Sequence, residues 1–282
     1  MILPSSLIGI FFALTSAVVW GSGDFSGGFA SRRSNPFQVL VLSSLSGIVI
    51  LVACAAVKGE AFPSTRGTVL AALAGVAGTV GLAALYRALS MGFTASVAPT
   101  SAVIGAAMPV AFTIFTAGLP PATRLAGFGL AFLGIWLVSQ PVTDARRVSR
   151  RAFLLACLAG VGFGAFFILI GEIEPGKVFT PLIVARSMAC VTALLMLGLG
   201  RLPLTSPAAN PVALLAGVLD AGGNIFYLLA RQYTSLDVAA VLSSLYPAAT
   251  LILASLLLKE KASPRQWTGA GICLLAIGLI TI

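Results

Sequence analysis

The sequence predicts an all-α polytopic membrane protein, with ten transmembrane helices arranged as two inverted five-helix repeats. Three observations support this fold class: an apolar composition, ten long apolar runs and an internal repeat. Of the 282 residues, 59% are hydrophobic and only 9% are charged, whereas an ordinary globular domain carries about 25% charged residues. A helix needs about 20 apolar residues to cross a hydrocarbon core roughly 30 Å thick.

The apolar runs recur along the whole chain and are separated by short polar loops. Each run is uniformly apolar rather than apolar on one face, which is typical of a membrane span. The predicted spans are residues 6–27, 37–57, 67–90, 95–117, 124–139, 152–170, 179–199, 211–231, 236–258 and 265–282. The longest loop, residues 140–151, is rich in arginine and separates the fifth span from the sixth.

The two halves of the chain resemble each other at a nearly constant shift. Subtracting 142 from the position of Gly269 gives Gly127, and similar matches continue upstream without a gap. A long period of this kind indicates a repeat architecture. We therefore predict a first repeat over residues 1–145 and a second over residues 146–282. Because five spans per repeat is an odd number, the two repeats enter the membrane in opposite orientations.

The residue types argue against several classes of function. The chain has no histidine, which removes the commonest metal ligand and the commonest proton shuttle. Its four cysteines are widely spaced and form no CxxC pattern, so we expect no metal, no cofactor and no enzymatic activity. The net charge of +9 lies mostly in the loops, which favours anionic lipid headgroups as partners over nucleic acid.

The eighth span carries a polar stripe. Four of its residues are spaced by four, three and four positions, namely Asp220, Asn224, Tyr227 and Arg231. That spacing places them on one helix face, and a carboxylate facing lipid costs about 2.5–3.5 kcal/mol on insertion scales. The stripe is therefore either the wall of a substrate- or proton-binding cavity or a polar seam between helices. In the second interpretation Asp220 pairs with Arg186 of the seventh span.

Asp24 lies near the end of the first span, in the sequence WGSGDF. It is either a proton carrier inside the membrane or a carboxylate at the level of the headgroups. Three aromatic residues are placed to line a central cavity, namely Trp20, Tyr86 and Tyr227. Their ring faces suit an apolar or a cationic substrate.

The ninth span combines polar side chains with a proline. Ser243 and Tyr246 share a helix face, and both are candidates for substrate binding. Pro247 removes a backbone hydrogen bond, which predicts a kink or hinge at that position. Pro99 and Ser101 are expected to act similarly in the fourth span.

Three further carboxylates fall in predicted loops. Glu172 and Glu174 are expected to be solvated. Glu260, between Lys259 and Lys261, is expected to anchor a turn at the headgroups.

Several of these stretches, namely the region around Pro247, the LLLKEK turn with Glu260 and the following QWTGAGICLLAIGLI, resemble the EamA family of the drug/metabolite transporter superfamily. The pair Trp20–Gly21 and the tetrapeptide YRAL at residues 86–89 are similar to that family too. The resemblance covers nearly the whole chain. It implies ten helices around a central cavity and the transport of small metabolites.

The first repeat departs from the family pattern. Gly118 stands where the second repeat has Glu260, and Gly105 stands where it has Pro247. We therefore expect the two halves to differ in their gating roles.

The functional expectation is a secondary transporter that works by alternating access. The resemblance implies an exporter of amino acids or related small metabolites. One alternative is an exporter of drugs or lipophilic cations, which a buried carboxylate would suit. Another is a non-transport scaffold or lipid-handling protein with a dry interior. No ATP-binding motif occurs, so energy would come from a gradient, including protons carried by Asp220 or Asp24, or from downhill flow.

The expected location is a bacterial plasma (inner) membrane, as a monomer or weak homodimer. The resemblance implies cytoplasmic termini. That orientation places five loop or helix-end Lys and Arg residues inside and ten outside, whereas the positive-inside rule prefers the reverse.

Overall fold

The computed structural model describes residues 5–89, 94–140, 149–204, 206–259 and 261–281. In these ranges the regular structure is helical, and a short 3₁₀ helix at Pro207–Ala209 accompanies eleven α-helices. They are α1 (Ser5–Ala30), α2 (Pro36–Lys58), α3 (Thr65–Leu89), α4 (Thr94–Ala117), α5 (Ala122–Val138), α6 (Arg150–Gly171), α7 (Phe179–Leu199), α8 (Pro211–Tyr233), α9 (Leu236–Ser243), α10 (Tyr246–Leu257) and α11 (Pro264–Thr281).

These helices account for the ten predicted spans. In the described ranges, eight helical segments are long and apolar enough to cross a membrane, with α9 and α10 counted together as one segment. The shorter apolar helix α5 and the 18-residue α11 complete the set. The fold class is confirmed as an all-helical polytopic membrane protein.

Local sequence explains where α2 begins and ends. The Asn35 side chain accepts a hydrogen bond from the backbone N–H of Phe37 at 3.0 Å, and Gln38 binds back to the Asn35 N–H at 2.9 Å. This capping box satisfies N–H groups that lack a partner within the helix. At the other end Gly59 adopts a left-handed conformation with φ of 63°, which glycine tolerates without steric cost.

The helices of the two repeats interleave. The most extensive packing joins α1 to α8 and α3 to α6, while α2 packs on both α7 and α8, and α5 packs on α11. Since α6 corresponds to α1 and α3 corresponds to α8 in the repeat, the first two contacts are equivalent. The predicted repeat boundary at residues 145 and 146 lies outside the described residues.

Two glycines allow the closest contacts between helices. A Cβ at Gly217 of α8 would lie 2.0 Å from the carbonyl oxygen of Ser43 in α2. A Cβ at Gly75 of α3 would lie 2.2 Å from the carbonyl oxygen of Ala185 in α7. Small residues at such crossings bring backbones together in a bilayer, where packing drives association.

The ninth span is broken just before Pro247, where the sequence predicts a kink or hinge. The first part, α9, ends at Ser243, and α10 begins at Tyr246. The N–H of Leu245 bonds to the carbonyl of Leu242 at 3.3 Å, a three-residue step that ends the regular α-helix. Pro247 then occupies the first turn of α10, where a missing N–H costs nothing.

The equivalent helix of the first repeat behaves differently. α4 runs as one helix through both Pro99 and Pro109, so the expected similarity between Pro99 and Pro247 is wrong at the level of helix continuity. The two repeats therefore differ in helix continuity at this point, and a difference in their gating roles stays a prediction.

One end of the bundle is closed by a carboxylate clamp. Because consecutive spans run in opposite directions, the α2–α3 and α6–α7 loops lie at the same end. Glu60 accepts hydrogen bonds from the N–H groups of Val178, Phe179 and Thr180, at 2.8 to 3.1 Å, and from the Thr180 hydroxyl at 2.8 Å. A carboxylate at a helix N-terminus is favoured by both hydrogen bonding and the helix dipole, so Glu60 ties the first repeat to α7.

The reverse contact comes from the second repeat. Glu174 accepts a hydrogen bond from the N–H of Ser64, just before α3, and Lys177 donates to the carbonyl of Ala61 at 2.8 Å. The Ser64 N–H holds the pKa of Glu174 below its ordinary value. The expectation of a merely solvated Glu174 is therefore wrong: its carboxylate stays at the surface but joins the two loops.

Candidate functional site

A cavity of about 700 Å³ lies between the two repeats. Its deep part is lined by Leu51, Phe167 and Leu182, which lie within two turns of the clamp ends of α2, α6 and α7. Its outer part reaches the ends of four helices, at Gly28, Pro36, Ser139 and Gln266. These helix ends lie opposite the carboxylate clamp, and none of the described residues that line the cavity belongs to the clamp loops. The cavity therefore approaches one end of the bundle and is closed toward the other.

Two helices contribute an ion pair to the wall. Arg186 of α7 and Asp220 of α8 form a salt bridge, with 11% and 38% of their side chains exposed. Gly47 of α2 makes room for it, because a Cβ there would lie 3.2 Å from the Arg186 Nε. Asn224, one turn along α8, donates to the Asp220 carbonyl at 2.6 Å. The pair neutralises the largely buried Arg186 charge, which would be costly without a partner, with the partly exposed Asp220 carboxylate.

Asp24 presents a second carboxylate to the cavity. Its side chain is exposed to the cavity space, and no hydrogen bond or ion pair to it is found among the described residues. Tyr246 lines the same cavity. Gly23 packs against α8 beside the Asp220 N–H, so Asp24 and Asp220 occupy neighbouring levels of the cavity.

An aromatic cluster supports the deep wall. The Trp20 ring lies 5.5 Å from Phe167 and 5.9 Å from Tyr227. Tyr227 is fully buried behind these two rings, and its hydroxyl donates to the Phe167 carbonyl at 2.8 Å. Gly223 leaves space for the indole, because a Cβ there would lie 2.4 Å from the Trp20 ring. Trp20 and Phe167 thus face the cavity, and Tyr227 holds them in place.

The polar stripe of α8 divides into two parts. Asp220 and Asn224 line the cavity. Arg231 instead donates to the carbonyl of Gly171 at 3.1 and 3.2 Å and to that of Thr234 at 2.9 Å. The Asp220–Arg186 pair expected for a polar seam is present, although Asp220 also lines the cavity. A substrate- or proton-binding role of the stripe stays a prediction.

The structure brings most of the predicted site residues to the cavity and leaves others outside it. Those that line it are Trp20, Asp24, Ser101, Arg186, Asp220, Asn224, Tyr246 and Pro247. Tyr227, Ser243 and Pro99 are buried elsewhere, with the Ser243 hydroxyl donating to the Ala13 carbonyl at 3.3 Å. The Tyr86 side chain and Glu260 lie outside the described residues. A role in substrate binding stays a prediction for the whole set.

Several lining residues escaped the sequence analysis. Phe163, Phe166 and Phe167 of α6 face the cavity, and their spacing of three and four marks one helix face. That periodicity could have identified them. Thr79 and Gln266 carry no comparable signal, because isolated polar residues in apolar helices are common.

These features define a class of protein: a polytopic membrane protein built from two five-span repeats around a central cavity. The model of the EamA-like transporter family matches residues 7–140 and 150–282. The chain therefore belongs to the EamA-like transporter family, within the drug/metabolite transporter superfamily.

A solved structure described as "Crystal structure of protein" is similar to this chain with a TM-score of 0.79 and 14% identity, over 98% of this chain and 96% of that one. At this identity the likeness shows the fold alone. No curated protein matches the chain.

Proposed function

We propose that this protein is a secondary transporter that carries small organic molecules through the central cavity by alternating access. The observation that carries the proposal is the cavity itself. Its volume of about 700 Å³ falls within the roughly 300–1,000 Å³ of small-molecule sites. It lies between the repeats and is closed at one end, as expected for one state of an alternating-access cycle.

The proposed cargo is an amino acid or a related small metabolite, moved out of the cell. Charged groups of both signs line the cavity beside aromatic rings, which supports a small ligand with an apolar body and at least one charge.

A second candidate cargo is a lipophilic cation. The specific observation that favours it is the Asp24 carboxylate, for which the described residues offer no cationic partner. The third reading, a scaffold or lipid-handling protein, predicts a dry interior without a cavity, and the volume and polar lining argue against it.

Energy coupling is proposed to use protons bound by Asp24 or Asp220. Asp24 is the better candidate, because Asp220 is already paired with Arg186. If Asp24→Asn and Asp220→Asn each left a pH-dependent transport rate unchanged, proton coupling through these carboxylates would be wrong.

The proposed setting is a bacterial inner membrane, with a monomer or weak homodimer and cytoplasmic termini. In that orientation the outer part of the cavity faces away from the cytoplasm. The distribution of lysine and arginine favours the reverse. A reporter fused to the C-terminus distinguishes the two orientations.

The deciding experiment is transport in reconstituted vesicles, with a pool of amino acids, small metabolites and quaternary ammonium compounds. We expect wild-type protein to move at least one compound and Asp24→Asn to slow that movement. Glu172→Gln is the matched control, because Glu172 is a carboxylate outside the cavity lining. Failure of the wild type to move any compound in either direction would contradict the proposal.

A further inference from the structure

Four of the hydroxyl groups that line the cavity have already used their protons in hydrogen bonds to backbone carbonyls. Ser43 donates to the Leu40 carbonyl at 3.0 Å, and Thr79 donates to the Gly75 carbonyl at 2.8 Å. A hydroxyl has a single proton to donate, so what each can still offer a ligand is an acceptor lone pair.

The same pattern continues on the opposite wall. The Ser101 hydroxyl donates to the Ala98 carbonyl at 3.0 Å. The Thr250 hydroxyl lies 3.1 Å from the carbonyl oxygens of Gly21 and Tyr246, and its proton serves these backbone groups. Hydroxyls from both repeats therefore present acceptors to the cavity.

The side-chain amides of the lining also donate their N–H groups to other parts of the protein. The Asn224 amide N–H₂ donates to Asp220, while its Oδ1 is buried and accepts no hydrogen bond from the described residues. Gln266 donates to the carbonyls of Val138 and Gln140, at 3.4 and 2.8 Å. A buried acceptor without a donor is costly, so the site near Asn224 is short of N–H donors.

The charged groups of the lining also favour a cationic ligand over an anionic one. Among the described lining residues, the one positive charge is that of Arg186, and it is held by Asp220. Asp24 has no ion-pair partner among the described residues. With all three groups ionised the described part of the lining carries a net charge of −1 and offers no unpaired cation to an incoming carboxylate.

Aromatic rings complete the environment. Trp20, Phe163, Phe166 and Tyr246 line the cavity together with Asp24. Ring faces attract a desolvated cation and pack on an apolar body. Among the described lining residues, the neutral donors still available are the Trp20 N–H, the Ser139 O–H and the Tyr246 O–H. Neutral donors suit a carboxylate poorly compared with a cationic side chain.

We propose that the cavity selects protonated amines with an apolar body and without a carboxylate, bound through their N–H groups to Asp24 and the surrounding acceptors. This inference rests on the proposed transport function and, within it, favours amine metabolites over the amino acids proposed as the first candidate cargo. It ranks a protonated primary amine above both the corresponding amino acid, which adds a negative charge, and the corresponding quaternary ammonium ion, which has no N–H to donate.

The test uses three probes with the same aromatic body: 2-phenylethylamine, phenylalanine and trimethyl(2-phenylethyl)ammonium. Binding to the full-length protein in detergent micelles is measured by isothermal titration calorimetry, and the uptake of each probe is measured in reconstituted vesicles. We expect 2-phenylethylamine to bind at least tenfold more tightly than either of the other two probes, and to be transported in preference to them.

Two variants assign the effect to Asp24. Asp24→Asn has nearly the same shape and breaks no contact seen among the described residues, so it should fold and yet bind the amine at least tenfold more weakly. Glu172→Gln should bind it like the wild type. An unchanged affinity in folded Asp24→Asn would overturn the assignment.

The outcomes separate the two proposals. Tighter binding of phenylalanine overturns the amine preference and leaves the transport proposal standing. Equal binding of the trimethyl analogue overturns the role of N–H donation. If none of the three probes binds, the amine preference is overturned, and transport itself is then decided by the broader pool of compounds.

Discussion

Asp220 and Asn224 line the cavity, whereas Tyr227 and Arg231, farther along the same face of α8, pack against α6. The four side chains have the same helical spacing and comparable polarity. Their surroundings differ because the cavity ends partway along the helix. Periodicity therefore identifies the face of a membrane helix, and the neighbouring helices decide whether a position on that face meets a ligand or a carbonyl group.

The largest effect should come from the cavity half of the stripe. Asp220→Asn leaves the Arg186 charge largely buried and unpaired. Breaking a buried pair costs about 3–5 kcal/mol, and we expect the lower part of that range because 38% of the Asp220 side chain is exposed. Thermal unfolding in detergent micelles measures the loss.

The matched control removes both charges. Asp220→Asn combined with Arg186→Gln should recover much of the lost stability, because no unpaired charge remains. A single variant as stable as the wild type would show that the pair contributes nothing to folding.

A smaller effect is expected for Arg231→Met, in the packed half. It removes the hydrogen bonds to the Gly171 and Thr234 carbonyls. Charged hydrogen bonds contribute roughly 1.5–3 kcal/mol each, less where water replaces them, so we expect a loss of about 2 kcal/mol. The apparent KM for any transported compound should not change, since Arg231 does not line the cavity. A change in substrate preference in Arg231→Met would show that the packed half of the α8 stripe also affects substrate binding.

Tyr227→Phe should have a milder effect in the same half. It removes the hydroxyl that donates to Phe167 and keeps the ring that packs on Trp20. The expected loss is about 1 kcal/mol in unfolding free energy, with substrate affinity unchanged. Trp20→Ala offers the contrast, because it alters the lining itself. A tenfold change in KM for Tyr227→Phe would place its hydroxyl in the pathway.

The smallest effect concerns pH, at the closed end beyond Arg231. The pKa of Glu174 is lowered from its ordinary 4.5 in the folded protein. Its contact with Ser64 therefore adds stability above pH 4.5, and that stability is lost as the pH falls through the lowered folded value. We expect the Tm difference between wild type and Glu174→Gln to stay constant above pH 4.5 and to vanish on acidification. A Tm difference that grows as the pH falls would contradict this prediction.

Much of the architecture could be predicted from local properties. Apolar runs locate the ten spans, because span length is dictated by bilayer thickness. Pro247 predicts an irregularity in the ninth span, but the complete break between Ser243 and Tyr246 could not be predicted, since a proline permits either a bend or a new helix start. The Ser243 hydrogen bond to Ala13 and the Glu60 cap on α7 join residues far apart in sequence. Nothing in the local pattern of Glu60 indicates a partner 120 residues away.

For the cavity, the sequence identified candidate lining residues but did not show how deeply each of them is buried. Asp24 and Asp220 stand out in any apolar helix because an isolated charge there is costly. Whether Asp220 is paired and Asp24 is not depends on the position of Arg186, which α2 admits through Gly47. That contact depends on how three helices are packed, and no single helix carries a signal for it.

Glu60 and Glu174 each reach from one repeat to the other, so any rocking motion that opens the closed end must separate both contacts together. Together these two contacts stabilise the conformation in which this end of the bundle is closed. Stronger contacts would lower the turnover rate more than they change the substrate affinity, because the cavity lining does not change when the contacts break. If the proposed alternating-access cycle operates, the resting protein would be open toward one compartment, and the rate of the cycle would be set at a place far from the ligand.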